Sequence, residues 1–171
     1  MEQINLFLPE ATAIVERVHK RATNYRVPVY SVKVVKETPL KVRGNKPKTV
    51  TNPATAAAIV TEALGCLDRE AFGLLMLTTK NSILGFHVVS IGTLNSSIVH
   101  PREIFKAAFL AGAASIILVH NHPSGDPSPS QEDLEVTRRL VDAGNILGIA
   151  VQDHIIIGDD CFFSFKNDGL L

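Results

Sequence analysis

The chain has 171 residues, 46% of them hydrophobic, which suffices for one domain with a buried core, alone or with an extension. Its 17 basic and 17 acidic residues cancel, so the overall charge gives no support for binding to nucleic acid or to a membrane surface. The two cysteines, Cys66 and Cys161, are far apart and outside any CxxC pattern. Reduced, buried thiols are therefore a better interpretation than a disulfide or metal ligands.

The sequence also lacks the features of membrane insertion and export. No apolar run approaches the ~20 residues of a membrane span. The first residues, Met-Glu-Gln-Ile, do not provide the basic region of a signal peptide. We therefore expect a cytoplasmic protein.

The chain is predicted to divide near residue 49. Residues 1–48 are interpreted as an extension, with a helix that begins at Pro9, a strand over 27–35 and then a basic connector. The connector is interpreted as a solvated loop. A nucleic-acid contact is the weaker alternative, because no aromatic residue lies between the basic residues to stack on bases. These basic residues are Lys41, Arg43, Lys46 and Lys48.

Residues 49–171 are predicted to form the main domain, in which helices and strands alternate. The predicted helices cover 53–64, 101–112 and 131–143, and the predicted strands cover 72–79, 83–91, 115–119, 149–157 and 161–165. The first two strands are separated by three polar residues and should form an antiparallel hairpin. Together the elements predict an α/β domain, a mixed β-sheet flanked by helices.

The apolar strand at 115–119 is followed directly by His120-Asn-His122, and then by Ser130 and Asp133. In an extended segment, residues two apart project to the same side, so the two histidines can converge on one ion. Two imidazoles and one carboxylate are a common ligand set for a catalytic Zn²⁺ that keeps one position for water. We therefore predict that His120, His122 and Asp133 bind a metal.

A simpler interpretation of the last two residues stays open. Ser130 and Asp133 also have the spacing of a helix N-cap followed by an acidic third residue. Ser130 could cap the helix or hold a water near the metal. The other common zinc-hydrolase patterns do not fit: there is no His-Glu-x-x-His and no Pro-Cys-x-x-Cys.

The stretch from His120 to Asp133 resembles the JAMM signature of MPN-domain metalloproteins. Neighbouring sequence segments are similar to the bacterial RadC-like branch of that group, and this similarity covers roughly residues 50–171. Residues 1–48 do not match the helix-hairpin-helix-like leader of longer RadC-like chains. The similar segments are Gly92-Thr-Leu-Asn, Val99-His-Pro-Arg-Glu-Ile-Phe, Ile117-Leu-Val-His-Asn-His-Pro-Ser-Gly and Asp153-His-Ile-Ile-Ile-Gly.

The resemblance implies a cytidine-deaminase-like α/β sandwich with a Zn²⁺ held by the two histidines and Asp133. It also implies a hydrolase of peptide or isopeptide bonds that uses an upstream glutamate as general acid/base. Glu70 is the favoured match, and Glu103, which could simply serve the dipole at the start of its own helix, is the alternative. Ser130 would then help to stabilise the oxyanion.

We therefore expect a zinc metallopeptidase or isopeptidase that acts on a protein or peptide substrate. Two alternatives remain: a nucleic-acid-binding or DNA-repair-associated protein with the metal in a nuclease or structural role, and an inactive scaffold without metal. His154, beside Asp153 in an apolar strand, is a candidate to orient a ligand histidine, although a structural use is the favoured interpretation. The sequence predicts neither the substrate nor the oligomeric state.

Overall fold

The computed structural model describes residues 28, 31, 35–37, 48–64, 67–92 and 99–171. Backbone contacts divide the chain into two compact units, Met1–Val32 and Lys33–Leu171, and the described residues belong almost entirely to the second. The helix, the strand and most of the connector predicted for residues 1–48 lie outside the described residues, as does Cys66. The predicted division near residue 49 stays a prediction.

The described domain contains three helices and five strands. The helices are α1 (Pro53–Leu64), α2 (Pro101–Leu110) and α3 (Gln131–Leu147). The strands are β1 (Ala71–Leu77), β2 (Ile83–Ile91), β3 (Ser115–Asn121), β4 (Ala150–Ile157) and β5 (Phe162–Ser164). In these residues no helix is long and apolar enough to cross a membrane.

Side-chain caps explain where α1 and α2 begin. Oδ1 of Asn52 accepts a hydrogen bond from the Thr55 backbone N–H at 2.8 Å, which caps α1 just before Pro53. His100 caps α2 in the same way through Nδ1, which accepts from the Arg102 N–H at 3.1 Å. This bond accounts for the histidine before Pro101.

The five strands form one mixed sheet in the order β2-β1-β3-β4-β5. Strand β1 is antiparallel to both β2 and β3, whereas β3 is parallel to β4 and β5 closes the edge antiparallel to β4. Strand β3 is central, and all seven of its residues are buried. The predicted mixed sheet is therefore confirmed. His120 lies near the end of its middle strand, and His122 comes directly after that strand.

The sheet is covered on both faces, because alternate strand residues point to opposite sides. One cluster joins the sheet to α1 and includes Val60, Leu75 and Ile155. The other joins it to α2 and α3 and includes Phe105, Leu118 and Leu140. His120 has the strand parity of Leu118, so its side chain enters the second layer, the one that contains α3.

Helix α3 is longer than the sequence predicted: it continues past Ala143 to Leu147 and ends at Gly148, whose φ of 70° is left-handed. Gly144 does not end the helix. It lies where a Cβ atom would come within 2.5 Å of the Ile149 carbonyl oxygen. Cys161 also differs from expectation, since it is a free and exposed cysteine. It lies in the turn between β4 and β5, and it belongs to neither of the two core clusters of the described residues.

Gly144→Ala should destabilise the domain. Alanine is the better helix former by about 1 kcal/mol, but the clash with backbone leaves no flexible side chain to move aside, and such overpacking costs about 1–3 kcal/mol. Urea unfolding should show a net loss of stability. The matched control is Asn145→Ala on the exposed side of the same helix, which should not lose stability. A stabilised Gly144→Ala variant would contradict this packing.

Candidate metal centre

Three side chains meet at the end of β3, and we call them the metal centre: His120, His122 and Asp133. The Nε2 atoms of the two histidines are 2.9 Å apart. Oδ1 of Asp133 lies 3.2 Å from Nε2 of His120, and its Oδ2 lies 3.6 Å from Nε2 of His122. One ligand atom from each residue falls within 4.8 Å of the other two. The structure thus brings together the three residues that the sequence predicted as ligands.

The loop after β3 folds back to hold His122 at this point. The backbone N–H of His122 donates to the Ile157 carbonyl at 2.9 Å, and its own carbonyl accepts from Gly125 N–H at 3.0 Å. Gly125 has a φ of 83°, a conformation that favours glycine, and a Cβ there would lie 2.5 Å from a carboxylate oxygen of Asp159. The tight loop therefore depends on that glycine.

Ser130 and Asp133 form a capping box at the start of α3. Oδ2 of Asp133 accepts from the backbone N–H of Ser130 at 2.7 Å and from its hydroxyl at 2.6 Å. Oγ of Ser130 accepts in turn from the Asp133 N–H at 3.2 Å. These bonds use Oδ2 and leave Oδ1 beside His120. Capping and a place in the metal centre are therefore combined in one residue rather than alternatives.

A hydrogen bond on the side of His122 that faces away from the metal centre determines which ring nitrogen carries the hydrogen. Nδ1 lies 2.7 Å from the carbonyl oxygen of Asp126, and a carbonyl can only accept, so Nδ1 carries the hydrogen. In the neutral ring, Nε2 is then a lone pair directed at the metal centre. A ligating histidine typically makes this kind of outward bond to a backbone carbonyl.

Burial and charge give the three groups different protonation preferences. Burial lowers the pKa of His120 to about 4, so this ring is neutral at physiological pH. Burial raises the pKa of Asp133, but His122, His120 and the bonds from Ser130 outweigh it and hold that pKa well below its ordinary value. The Asp133 carboxylate raises the pKa of His122 above 6.5. A carboxylate and neutral imidazoles together favour a positive charge at the centre.

Glu70 lies directly before β1, close enough for its negative charge to add to that of Asp133 in raising the pKa of His122. The buried side chain of Asn121 fixes this segment. Its Oδ1 accepts from the Ala71 N–H at 2.9 Å, and its Nδ2 donates to the Arg69 carbonyl at 3.1 Å. The residue between His120 and His122 thus holds the backbone on either side of Glu70. This contact was not predicted from the sequence, although the position of Asn121 inside His-x-His was a signal.

Glu103, the alternative to Glu70, lies on the surface of α2. It accepts from Arg102 at 3.1 Å and pairs with Lys106 one turn later. These cations hold its pKa below the ordinary value. Its carboxylate is therefore engaged on the helix surface, whereas the charge of Glu70 adds to that of Asp133 in raising the pKa of His122.

The residues present fit a divalent metal. Two imidazole nitrogens and one carboxylate oxygen are the donors that Zn²⁺ takes in catalytic sites with an open position. The bond from Nδ1 of His122 to the Asp126 carbonyl keeps the Nε2 lone pair of that ring directed at the metal centre, and Oδ1 of Asp133 lies beside Nε2 of His120. The chemistry of the donor set, rather than any one distance, is the basis of this assignment.

The sequence of the domain matches a known protein family. Residues 50–170 match the family model described as RadC-like JAB domain. The chain belongs to this family. The matched range contains every residue of the metal centre, and Glu70 and Ser130 as well.

Three bacterial relatives of this RadC-like JAB domain illustrate the similarity. The chain is 59% identical over 119 residues to the UPF0758 protein of Desulforamulus reducens, covering 70% of this chain and 52% of the relative. For the UPF0758 protein of Moorella thermoacetica the identity is 57% over 122 residues, covering 71% and 53%. For that of Alkaliphilus oremlandii it is 46% over 143 residues, covering 84% and 61%. The chain spans about half the length of the first two, and the shared name specifies no activity.

Zinc binding to this RadC-like JAB domain should release one proton from His122 at mildly acidic pH. A metal needs the neutral ring, whereas the raised pKa of His122 keeps a proton on the metal-free ring below that pKa. The pKa of His120, at about 4, and the lowered pKa of Asp133 leave both groups unprotonated there. Apparent zinc affinity should thus fall about tenfold for each unit of pH lost in this range.

Calorimetry in buffers of different ionisation enthalpy, at a pH of about 5.5, counts the released protons directly, since that pH lies between the two histidine pKa values. The control is His87→Gln, which alters an exposed histidine on β2 and should leave the count unchanged. Release of two protons per zinc would show that His120 is protonated as well, and release of none would show that His122 is neutral. Either result would contradict the assigned electrostatics.

Proposed function

We propose that this domain is a zinc-dependent hydrolase that cleaves peptide or isopeptide bonds in a protein substrate. The observation that carries the proposal is the convergence of two imidazole Nε2 atoms and one carboxylate oxygen at the end of the central strand. Membership in the RadC-like JAB-domain family supports hydrolysis in general. The choice of an amide bond rests on the JAMM-like spacing of the same residues.

Zinc bound to such a donor set acidifies water and polarises a carbonyl group. Residues of the chain would supply the proton transfer that the metal itself cannot provide. In our proposal Glu70 accepts the proton of the attacking water and returns it to the leaving amine, a general acid/base role. The two bonds from Asn121 fix the backbone around Glu70 and so limit where its carboxylate can move.

Ser130 has a second proposed role, in addition to its cap. Its hydroxyl now donates to Oδ2 of Asp133 at 2.6 Å, so that proton is already in use. Stabilisation of an oxyanion by Ser130 would require the hydroxyl to turn away from the carboxylate. The backbone N–H of Ser130 would still hold Oδ2, so the turn would not release Asp133.

Glu70→Gln should separate metal binding from turnover. The amide cannot accept the proton, so hydrolysis should fall by about 10²–10⁴-fold, the usual contribution of a general base. Zinc content should stay at the wild-type level, because the predicted ligands are unchanged. The full chain, loaded with zinc, would be tested on a panel of peptide-linked and isopeptide-linked substrates.

The matched control is Glu103→Gln, which removes an equivalent carboxylate from the surface of α2 and should leave turnover unchanged. Unaltered turnover in Glu70→Gln would remove Glu70 from the mechanism, and failure of the wild type to cleave any amide substrate would contradict the proposal. Cleavage of an oligonucleotide in a parallel arm, without cleavage of amides, would favour the nuclease alternative instead.

A further inference from the structure

A second polar cluster lies beneath the metal centre, where no substrate can reach it. It consists of His154 on β4 and Thr137 on α3, whose exposed fractions are 0% and 2%. The ring of His154 is enclosed by the aromatic side chains of Phe72 and Phe165. A polar ring in such surroundings costs free energy unless both of its nitrogens are hydrogen-bonded. Its two partners therefore decide what it does.

Those partners form one continuous chain of short contacts. Nδ1 of His154 lies 2.6 Å from the hydroxyl oxygen of Thr137, and Nε2 lies 2.9 Å from Nδ1 of His120. The Thr137 hydroxyl is also 2.6 Å from the backbone carbonyl oxygen of Asp133, one turn earlier in α3. This hydrogen-bond chain thus runs from one residue of the metal centre, His120, to another, Asp133.

The direction of every bond in this chain follows from its last member. The Asp133 carbonyl can only accept, so the single hydroxyl hydrogen of Thr137 must point to it. The hydroxyl oxygen then accepts from Nδ1–H of His154, which leaves Nε2 of that neutral ring as an acceptor. Nε2 accepts from Nδ1–H of His120. The remaining nitrogen of His120, Nε2, is left with its lone pair in the metal centre.

Each direction leaves one contact without a hydrogen. In the assigned direction this contact is the pair of Nε2 atoms of His120 and His122, at the position that a metal ion would fill. In the opposite direction it lies away from the metal centre, between Thr137 and Asp133. If Nε2 of His120 carried the hydrogen, Nδ1 would have to accept from His154, and Nδ1 of His154 would have to accept from Thr137. No hydrogen would then remain between the Thr137 hydroxyl and the Asp133 carbonyl, two oxygens 2.6 Å apart. A buried contact of this kind without a proton is unfavourable.

We propose that Thr137 and His154 are positioning residues that fix the Nδ1-protonated form of His120 and so present its Nε2 lone pair to the metal. Their value to the protein rests on the proposed zinc function, but the hydrogen-bond chain is a property of the metal-free domain. This hydrogen-bond chain also connects β3, β4 and α3. A purely space-filling role for His154 would set neither the proton position on His120 nor the zinc affinity.

Nitrogen-15 NMR of the histidine rings in the metal-free full chain tests the direction directly, with His120 assigned from a His120→Gln variant. At neutral pH the wild type should show the hydrogen of His120 on Nδ1. Thr137→Val, which keeps the volume and removes the hydroxyl, should yield a mixture of both forms. Thr137→Ser, which retains the hydroxyl, should restore the wild-type spectrum. An Nε2-protonated His120 in the wild type, or no change in Thr137→Val, would overturn the proposal.

Zinc affinity, measured by competition with a chromophoric chelator, tests the consequence. His154→Phe removes the acceptor for His120 and should weaken binding by about 10- to 100-fold, the usual effect of losing such a partner. His154→Gln restores an acceptor oxygen and should recover most of the affinity. If His154→Phe does not fold, Thr137→Val and Thr137→Ser form the same comparison.

Folded His154→Phe or Thr137→Val with wild-type zinc affinity would contradict the positioning role. The two measurements also separate this proposal from the proposed function. A wild-type chain that binds no zinc would remove the hydrolase proposal, while the NMR result would still decide whether Thr137 and His154 set the proton on His120.

Discussion

Two imidazole lone pairs and a carboxylate are held within a few ångströms of each other at the end of the central strand, and their mutual repulsion needs a positive charge between them. In the metal-free domain Asp133 raises the pKa of His122, which favours a proton on that ring. A divalent metal meets it more fully, because all three donors can then face one ion. The outward bonds of the ligand side chains are arranged to keep this cluster intact.

The fold provides the centre by bringing together the end of β3, the loop that follows it and the start of α3. Strand β3 carries the buried His120 near its end, the Gly125 loop turns His122 back, and the first turn of α3 contributes Asp133. Each ligand is held from behind by a hydrogen bond that the rest of the domain supplies: the Asp126 carbonyl, the capping bonds from Ser130 and, for His120, the His154 ring. Two of these supports, Asp126 and Ser130, lie in the same stretch of sequence as the three side chains, whereas His154 comes from β4.

The local signals in the sequence were sufficient for most of the fold and for the members of the centre. Proline at helix starts, apolar strand runs and the His-x-His spacing all act over a few residues, and the structure follows them. The contacts that α3 makes with other segments were not predictable. Gly144 fits inside α3 because Ile149 passes close to it, and Thr137 contacts His154 only through the packing of α3 on β4. The sequence also presented capping and ligation by Asp133 as alternatives, since it could not show that the two carboxylate oxygens have different partners.

X-ray absorption spectroscopy of the full chain loaded with zinc tests the central assignment most directly. Our account predicts one zinc per chain in a shell of nitrogen and oxygen donors, with two imidazoles at about 2.0–2.1 Å and no sulfur. The absence of sulfur matters because Cys161 is an exposed free thiol that could bind added zinc elsewhere. A shell that contains sulfur, a shell with no imidazole, or zinc that washes out of the wild-type chain would contradict a metal centre of His120, His122 and Asp133.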